Sequence, residues 1–88
     1  MPELTSDVAR QLRLPSGTEG VLIDDVDVGS PAQRAGLARG DVILQINRRA
    51  VTSPQEASRI LNQVPSGGTA FLLLMSDRQQ RFVTIRKD

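Results

Sequence analysis

The sequence predicts a small α+β domain, in which a partly open antiparallel sandwich or barrel of five or six strands is capped by two or three short helices. Its 88 residues suffice for one domain. Apolar runs of strand length alternate with signals for the start of a helix, and no segment is repeated. Because 39% of the residues are apolar and only two are aromatic, we expect a core of Val, Leu, Ile and Ala.

The expected order is helix, strand, short helix, strand, helix, strand, strand: 5–14, 21–28, 31–35, 41–47, 53–64, 69–75 and 81–86. Thr5 or the serine after it can cap the first helix, and Pro15 is expected to stop it. An apolar run followed by alternation to Val28 predicts the first strand. Ser30 can cap the short helix, and Gly36 can close it with left-handed backbone.

The second half of the chain shows clearer boundaries. Gly40 makes a turn into the second strand, and Asn47 begins the next turn. Ser53 and Glu56 have the spacing of a capping box, which predicts the start of the longest helix. The longest apolar run then predicts a central strand, and residues 76–79 predict a hairpin turn into an alternating last strand.

Composition excludes several classes of function. The sequence has no cysteine and no histidine, which rules out disulfides, zinc sites built on these residues and a Ser-His-Asp triad within this chain. The net charge is +1 and the charges are interspersed, so we do not expect nucleic-acid binding. The apolar run 70–75 is too short to span a membrane.

No catalytic residue, metal site or cofactor is expected. Lys87 is the single lysine and lies near the end of the sequence, which makes a Ser-Lys dyad a poor interpretation. The cluster Asp24-Asp25-x-Asp27 is better explained as a solvated strand face, since alternation sends its carboxylates to opposite faces. Residues 66–68 end a helix rather than hold a phosphate.

Residues 28–47 carry the most specific pattern, which reads VGSPAQRAGLARGDVILQIN. This stretch resembles the central motif of PDZ domains: a strand, Ser-Pro-Ala, a short helix ending in Ala-Gly-Leu, then Gly-Asp-Val-Ile and a strand. One departure is Arg48, where many members have glycine. The matched residues are expected to maintain the fold, so the motif indicates the family without indicating a ligand.

The resemblance extends over residues 4–86, and its first residues resemble one particular group within the family. Leu4-Thr5, the apolar stripe to Leu14-Pro15 and Gly20-Val21 are similar to the entry of the C-terminal PDZ domain of Do/HtrA-type serine proteases. This implies the circularly permuted bacterial topology, a periplasmic parent endopeptidase and a chain that lacks its signal peptide. In the family the carboxylate-binding loop lies just before the segment that residues 1–4 represent. The resemblance therefore implies that the sequence begins inside or after the edge strand, and that the loop is either truncated or absent from this member.

The resemblance further implies a site for the C-terminal end of a peptide. PDZ domains add the peptide as a strand beside a helix, here residues 53–64. Pro54, Ser58 and Leu61 lie at i, i+4 and i+7 on one stripe of that helix, and Leu4 lies in the edge strand. Leu61 would form the floor of the terminal side-chain pocket. Since Pro54 replaces the histidine of the Ser/Thr-selective members, we expect a hydrophobic ligand end.

Three functions remain open from the sequence. The chain is expected to recruit C-terminal or unfolded segments of substrates, or to regulate assembly with neighbouring protease subunits. Alternatively, it belongs to another membrane-associated protease or secretion component. In a third interpretation it is a structural assembly module without a free peptide ligand. Leu61 also has a simpler interpretation, as a core residue.

Overall fold

An antiparallel sheet forms the centre of the computed structural model, which describes residues 4–15 and 17–87. Within those residues the strands are β1 (Val21–Leu22), β2 (Val42–Ile46), β3 (Arg49–Ala50), β4 (Thr69–Ser76) and β5 (Gln79–Arg86), and the helices are α1 (Ser6–Gln11), α2 (Pro31–Arg34) and α3 (Pro54–Gln63). The strand order is β1-β2-β4-β5, with β3 paired to β2. The predicted α+β class is confirmed. No helix in the described ranges is long and apolar enough to cross a membrane.

The core lies between one face of the sheet and α3. Ile46, Leu72 and Leu74 are fully buried at its centre, and α3 contributes Ala57 and Ile60. The buried side chains are almost all aliphatic, as the composition predicts. Burying an aliphatic side chain of this size stabilises the fold by roughly 1.5–3 kcal/mol.

The first strand is shorter than the sequence predicts. Leu22 pairs with Val42, which is the first residue of β2. Residues beyond Leu22 therefore lie beside the turn that precedes β2 and not beside β2 itself. Ile23 still exchanges backbone hydrogen bonds with this turn, donating to Asp41 O at 2.8 Å and accepting from Gly40 N at 2.8 Å. The prediction of a strand through residue 28 is therefore wrong for residues 23–28.

The first helix also ends earlier than expected. Thr5 caps it as predicted, accepting a hydrogen bond from Val8 N at 3.2 Å. Its last residue is Gln11, however, and Arg13 then adopts left-handed backbone with φ of 58°. Leu14 N donates to Ala9 O at 2.9 Å, which closes a Schellman motif before Pro15 is reached. The expected stop at Leu14-Pro15 is therefore wrong in position.

One buried carboxylate joins three parts of the fold. Asp41 is 5% exposed and stands at the entry to β2. It accepts hydrogen bonds from Ala38 N at 3.1 Å and from the Ser76 hydroxyl at 2.9 Å. Arg81 on β5 forms an ion pair with it at 3.5 Å and donates to Gly36 O at 3.0 Å. Asp41 therefore fastens the turn after α2 to the hairpin of β4 and β5.

The turn between β2 and β3 holds two residues in left-handed backbone. Asn47 has φ of 52° and Arg48 has φ of 65°, the pattern of a two-residue type I′ hairpin. Asn47 fits this turn because its side chain accepts a hydrogen bond from Phe71 N at 2.9 Å. Arg48 has a Cβ that makes the left-handed region unfavourable, which explains why glycine is common at this position in such turns.

We therefore expect Arg48→Gly to stabilise the domain by about 0.5–1 kcal/mol, since it removes the strain of a Cβ at positive φ. Chemical denaturation measures the change. The matched control is Arg49→Gly, which lies in β3 and should be destabilising because glycine weakens a strand. Equal effects of both variants would contradict the assignment of strain to Arg48.

Candidate binding groove along the third helix

The N-terminus of α3 is fixed by side chains from the preceding turn. Ser53 is the N-cap, and its hydroxyl accepts a hydrogen bond from Glu56 N at 3.2 Å. The Glu56 carboxylate accepts from Thr52 N at 3.1 Å. The predicted capping residues are confirmed, although the reciprocal bond comes from Thr52 rather than from Ser53. These bonds hold Pro54, at the first helical position, in a defined orientation.

The core-facing stripe of α3 is the one that the sequence predicts. Ala57 is fully buried, Ile60 is 4% exposed and Val64, the C-cap, is 8% exposed. Their spacing of three and four residues places them on one face of the helix. Because this face is held by the core, the flank beside it has a fixed position relative to the sheet.

The three groove residues predicted on α3 lie along that flank. Pro54 and Leu61 are half-buried, and Ser58 is exposed. A shallow depression of about 670 Å³ lies along the flank. It is lined by Pro54 and Ser58 together with Gln55, Arg59, Asn62 and Gln63. Leu61 turns inward and packs against the core cluster. The structure therefore brings Pro54 and Ser58 together in one depression and places Leu61 beneath the same flank.

Leu4, the fourth predicted groove residue, lies beside the start of β1. Its backbone N donates to Gly20 O at 3.4 Å, and neither residue belongs to a strand of the sheet. The remainder of the predicted edge strand, residues 1–3, lies outside the described residues. Leu4 also lines a cavity of about 800 Å³ together with Thr52 and Ser53 at the N-terminus of α3. Leu4 and the N-cap of α3 therefore line one cavity, which does not include Pro54 or Ser58.

Residues that the sequence analysis did not select complete this cavity. α1 contributes Ser6, Ala9 and Arg10, and the loop before β1 contributes Glu19. No sequence pattern links α1 to Thr52, and only the three-dimensional structure shows that they line one cavity. The cavity offers hydroxyl, guanidinium, carboxylate and aliphatic groups, which suit hydrogen bonding and apolar contact with an extended peptide.

The profile of the PDZ domain family matches residues 22–74 of the chain. A probable periplasmic serine endoprotease, DegP-like, from Chlamydia trachomatis serovar D is 36% identical over 86 residues, which cover 97% of this chain and 17% of that protein. The periplasmic pH-dependent serine endoprotease DegQ of Escherichia coli is 38% identical over 65 residues, covering 74% and 14%. The chain therefore spans less than a fifth of these relatives.

Solved structures agree with the fold. The HtrA-type protease AlgW with decapeptide superimposes with a TM-score of 0.83 at 26% identity, covering 96% of this chain and 26% of that one. The HtrA3 PDZ domain bound to a phage-derived ligand, FGRWV, gives a TM-score of 0.78 at 22% identity. It covers 97% of this chain and 76% of that one, and it supports the fold alone.

Proposed function

The chain belongs to the PDZ domain family, and from this premise we propose that it is a non-catalytic module that binds the C-terminal end of a protein along α3. One observation carries the proposal. Pro54 and Ser58 line a depression on the flank of α3, while Leu4 shares a cavity with the N-terminus of the same helix. A helix flank of this kind, with a cavity at its N-terminus, suits contact with an extended peptide.

The proposed ligand lies between α3 and Leu4. Leu4 is hydrogen-bonded to Gly20, the residue before β1, so a peptide that pairs beside Leu4 would lie along this edge of the sheet. Pro54 and Ser58 would contact peptide residues upstream of the terminus. Leu61, half-buried under the flank, would form the apolar floor for the terminal side chain. The preferred terminus is then an aliphatic or aromatic residue.

The setting proposed for this module is a larger exported serine endopeptidase. The DegP-like relatives are periplasmic endoproteases of which the chain matches about a sixth. The chain has no histidine, so any triad would lie in another part of such a protein. Within it, the module would recruit substrate C-termini or regulate assembly with neighbouring subunits.

Calorimetric titration of the chain with C-terminal peptides tests the proposal. The peptides end in Val, Leu, Ile, Phe or Ala, and each has a twin whose terminal carboxylate is amidated. We expect saturable binding of the apolar-ended peptides that amidation abolishes. Equal binding of both twins would show strand addition without carboxylate recognition. Failure of every peptide to bind the folded chain would contradict the proposal and favour an assembly role.

A substitution on the flank of α3 should weaken this binding selectively. Ser58→Arg places a long side chain over the groove, and we expect the affinity to fall about tenfold or more. The matched control is Gln80→Arg, which adds the same charge at an exposed position of β5 that lines neither the depression on α3 nor the cavity at Leu4. Neither variant removes a core contact, so both should keep the melting temperature. If both variants bound peptide equally well, the groove would not lie on the Ser58 flank.

A further inference from the structure

The two aromatic residues of the sequence both lie on the surface. Phe71 on β4 is 60% exposed, and Phe82 on β5 is 79% exposed. Phenylalanine is ordinarily among the residues most often buried, and exposed apolar groups gathered at one place mark interaction surfaces. Their position is therefore a feature that neither the core nor the proposed groove explains.

The two rings belong to one continuous face of the sheet. Phe82 pairs with Leu73 across β4 and β5, and Leu73 also pairs with Gln45 on β2. Phe71 precedes Leu73 by two residues, so its side chain points to the same face. We call Phe71, Leu73 and Phe82 the outer-face patch. A cavity of about 650 Å³ lies over it, and its lining includes the three patch residues together with Gln45, Arg48 and Thr69.

This patch is separate from the groove along α3. Ala57 and Ile60 of α3 pack into the core cluster, which includes Leu72 and Leu74 on the opposite face of β4. Alternation along β4 sends Phe71 and Leu73 away from that face. A ligand in the groove would therefore leave the outer-face patch uncovered, and the two surfaces can be tested independently.

The charges around the patch define the chemistry of its partner. Arg48 lines the cavity, and exposed Arg86 pairs with Thr69 at the same end of the face. The residues lining the cavity include no aspartate or glutamate. A second copy that docked through the same face would present the same arginines and no lining carboxylate to balance them. An acidic partner would instead place its carboxylates beside them.

We propose that the outer-face patch is a second docking surface, which binds an extended protein segment whose apolar side chains are flanked by aspartate or glutamate. The apolar side chains pack between Phe71 and Phe82, and the carboxylates lie near Arg48 and Arg86. Unlike a ligand of the groove, this segment needs no free C-terminus. The proposal does not depend on the groove along α3.

The test uses a blocked peptide, so that no terminal carboxylate can occupy the groove. The probe is an N-acetylated, C-amidated heptapeptide of sequence DELFEDL, added to the isotope-labelled 88-residue chain and followed by amide chemical shifts. We expect saturable shifts at Phe71, Leu73 and Phe82, with the flank of α3 unaffected. The affinity should fall as salt is added, because the arginines are exposed to solvent.

Variants at exposed positions complete the test. Phe82→Thr keeps a strand-forming residue and should weaken binding of the heptapeptide about tenfold or more. Arg48→Glu should also weaken it, whereas Arg39→Glu, the same charge change in the exposed turn before β2, should not. Unchanged melting temperatures and circular dichroism would show that these variants fold.

Each of several results would overturn the proposal. One is the absence of shifts on the outer-face patch, and another is shifts that fall on α3 instead. Equal binding of the charge-reversed twin KKLFKKL would exclude an acidic partner. Self-association that Phe82→Thr abolishes would assign the patch to a second copy. Preference for a single-stranded oligonucleotide over the heptapeptide would assign it to a nucleic acid.

Discussion

Replacement of Asp41 by alanine should lower the free energy of unfolding by about 3 kcal/mol. The carboxylate is almost fully buried and accepts hydrogen bonds from Ala38 N and the Ser76 hydroxyl. Alanine would leave both donors without this acceptor and would remove the ion-pair partner of Arg81. Loss of a buried charged hydrogen-bonding centre is among the few mechanisms that destabilise a domain this strongly.

Urea denaturation of two further variants provides the comparison for Asp41→Ala. Asp25→Ala removes an exposed carboxylate and should change stability by less than about 0.5 kcal/mol. Asp41→Asn keeps one acceptor oxygen, so its loss of stability should lie between the losses for Asp41→Ala and Asp25→Ala. A loss for Asp41→Ala no greater than that for Asp25→Ala would show that the hydrogen bonds of Asp41 do not stabilise the fold.

Substitution of Gly20 by alanine should cost about 2 kcal/mol, because the space for a side chain is already occupied. An added Cβ would lie 2.5 Å from Ile43 O and 2.8 Å from a methyl group of Val42. Both contacts involve β2, whose backbone is fixed between β1 and β4, so β1 would have to move. Leu4 would move with it, since Leu4 donates its hydrogen bond to Gly20.

Two measurements separate the effect of Gly20→Ala on stability from its effect on peptide binding. Thermal unfolding should show the loss of stability for Gly20→Ala, while Glu19→Ala, at the exposed neighbouring position, should remain close to the parent. Peptide binding by the folded Gly20→Ala variant should also weaken, because the wall at Leu4 is displaced. A stable Gly20→Ala variant with full affinity would contradict the close packing of this loop on β2.

The sequence predicted best those elements that carry their own boundary signals. Ser53 and Glu56 mark the start of α3, and the spacing of Ala57 and Ile60 identifies its buried face. It failed for the end of α1, where Arg13 adopts left-handed backbone, and for the end of β1, which depends on a partner distant in the chain. β1 stops at Leu22 because of the position of β2, which alternation in residues 21–28 cannot reveal.

The candidate site could be predicted only in part. Helical spacing placed Pro54 and Ser58 on one flank, but it could not show that Leu61 turns toward the core. The cavity that Leu4 shares with Thr52 brings together residues far apart in the chain, which no periodic pattern reveals. The sequence also could not show that Phe82 is exposed, because alternation along a strand does not show which face is covered.

The most direct test of the proposed groove is a chemical-shift map of the isotope-labelled chain with a saturating peptide that ends in a free apolar residue. The largest shifts should lie on residues 54–61 and at Leu4, and they should disappear with the amidated twin. Phe71 and Phe82 should remain unaffected. Shifts confined to the outer face of the sheet, or none on α3 at a saturating concentration, would contradict the assignment of the groove to α3.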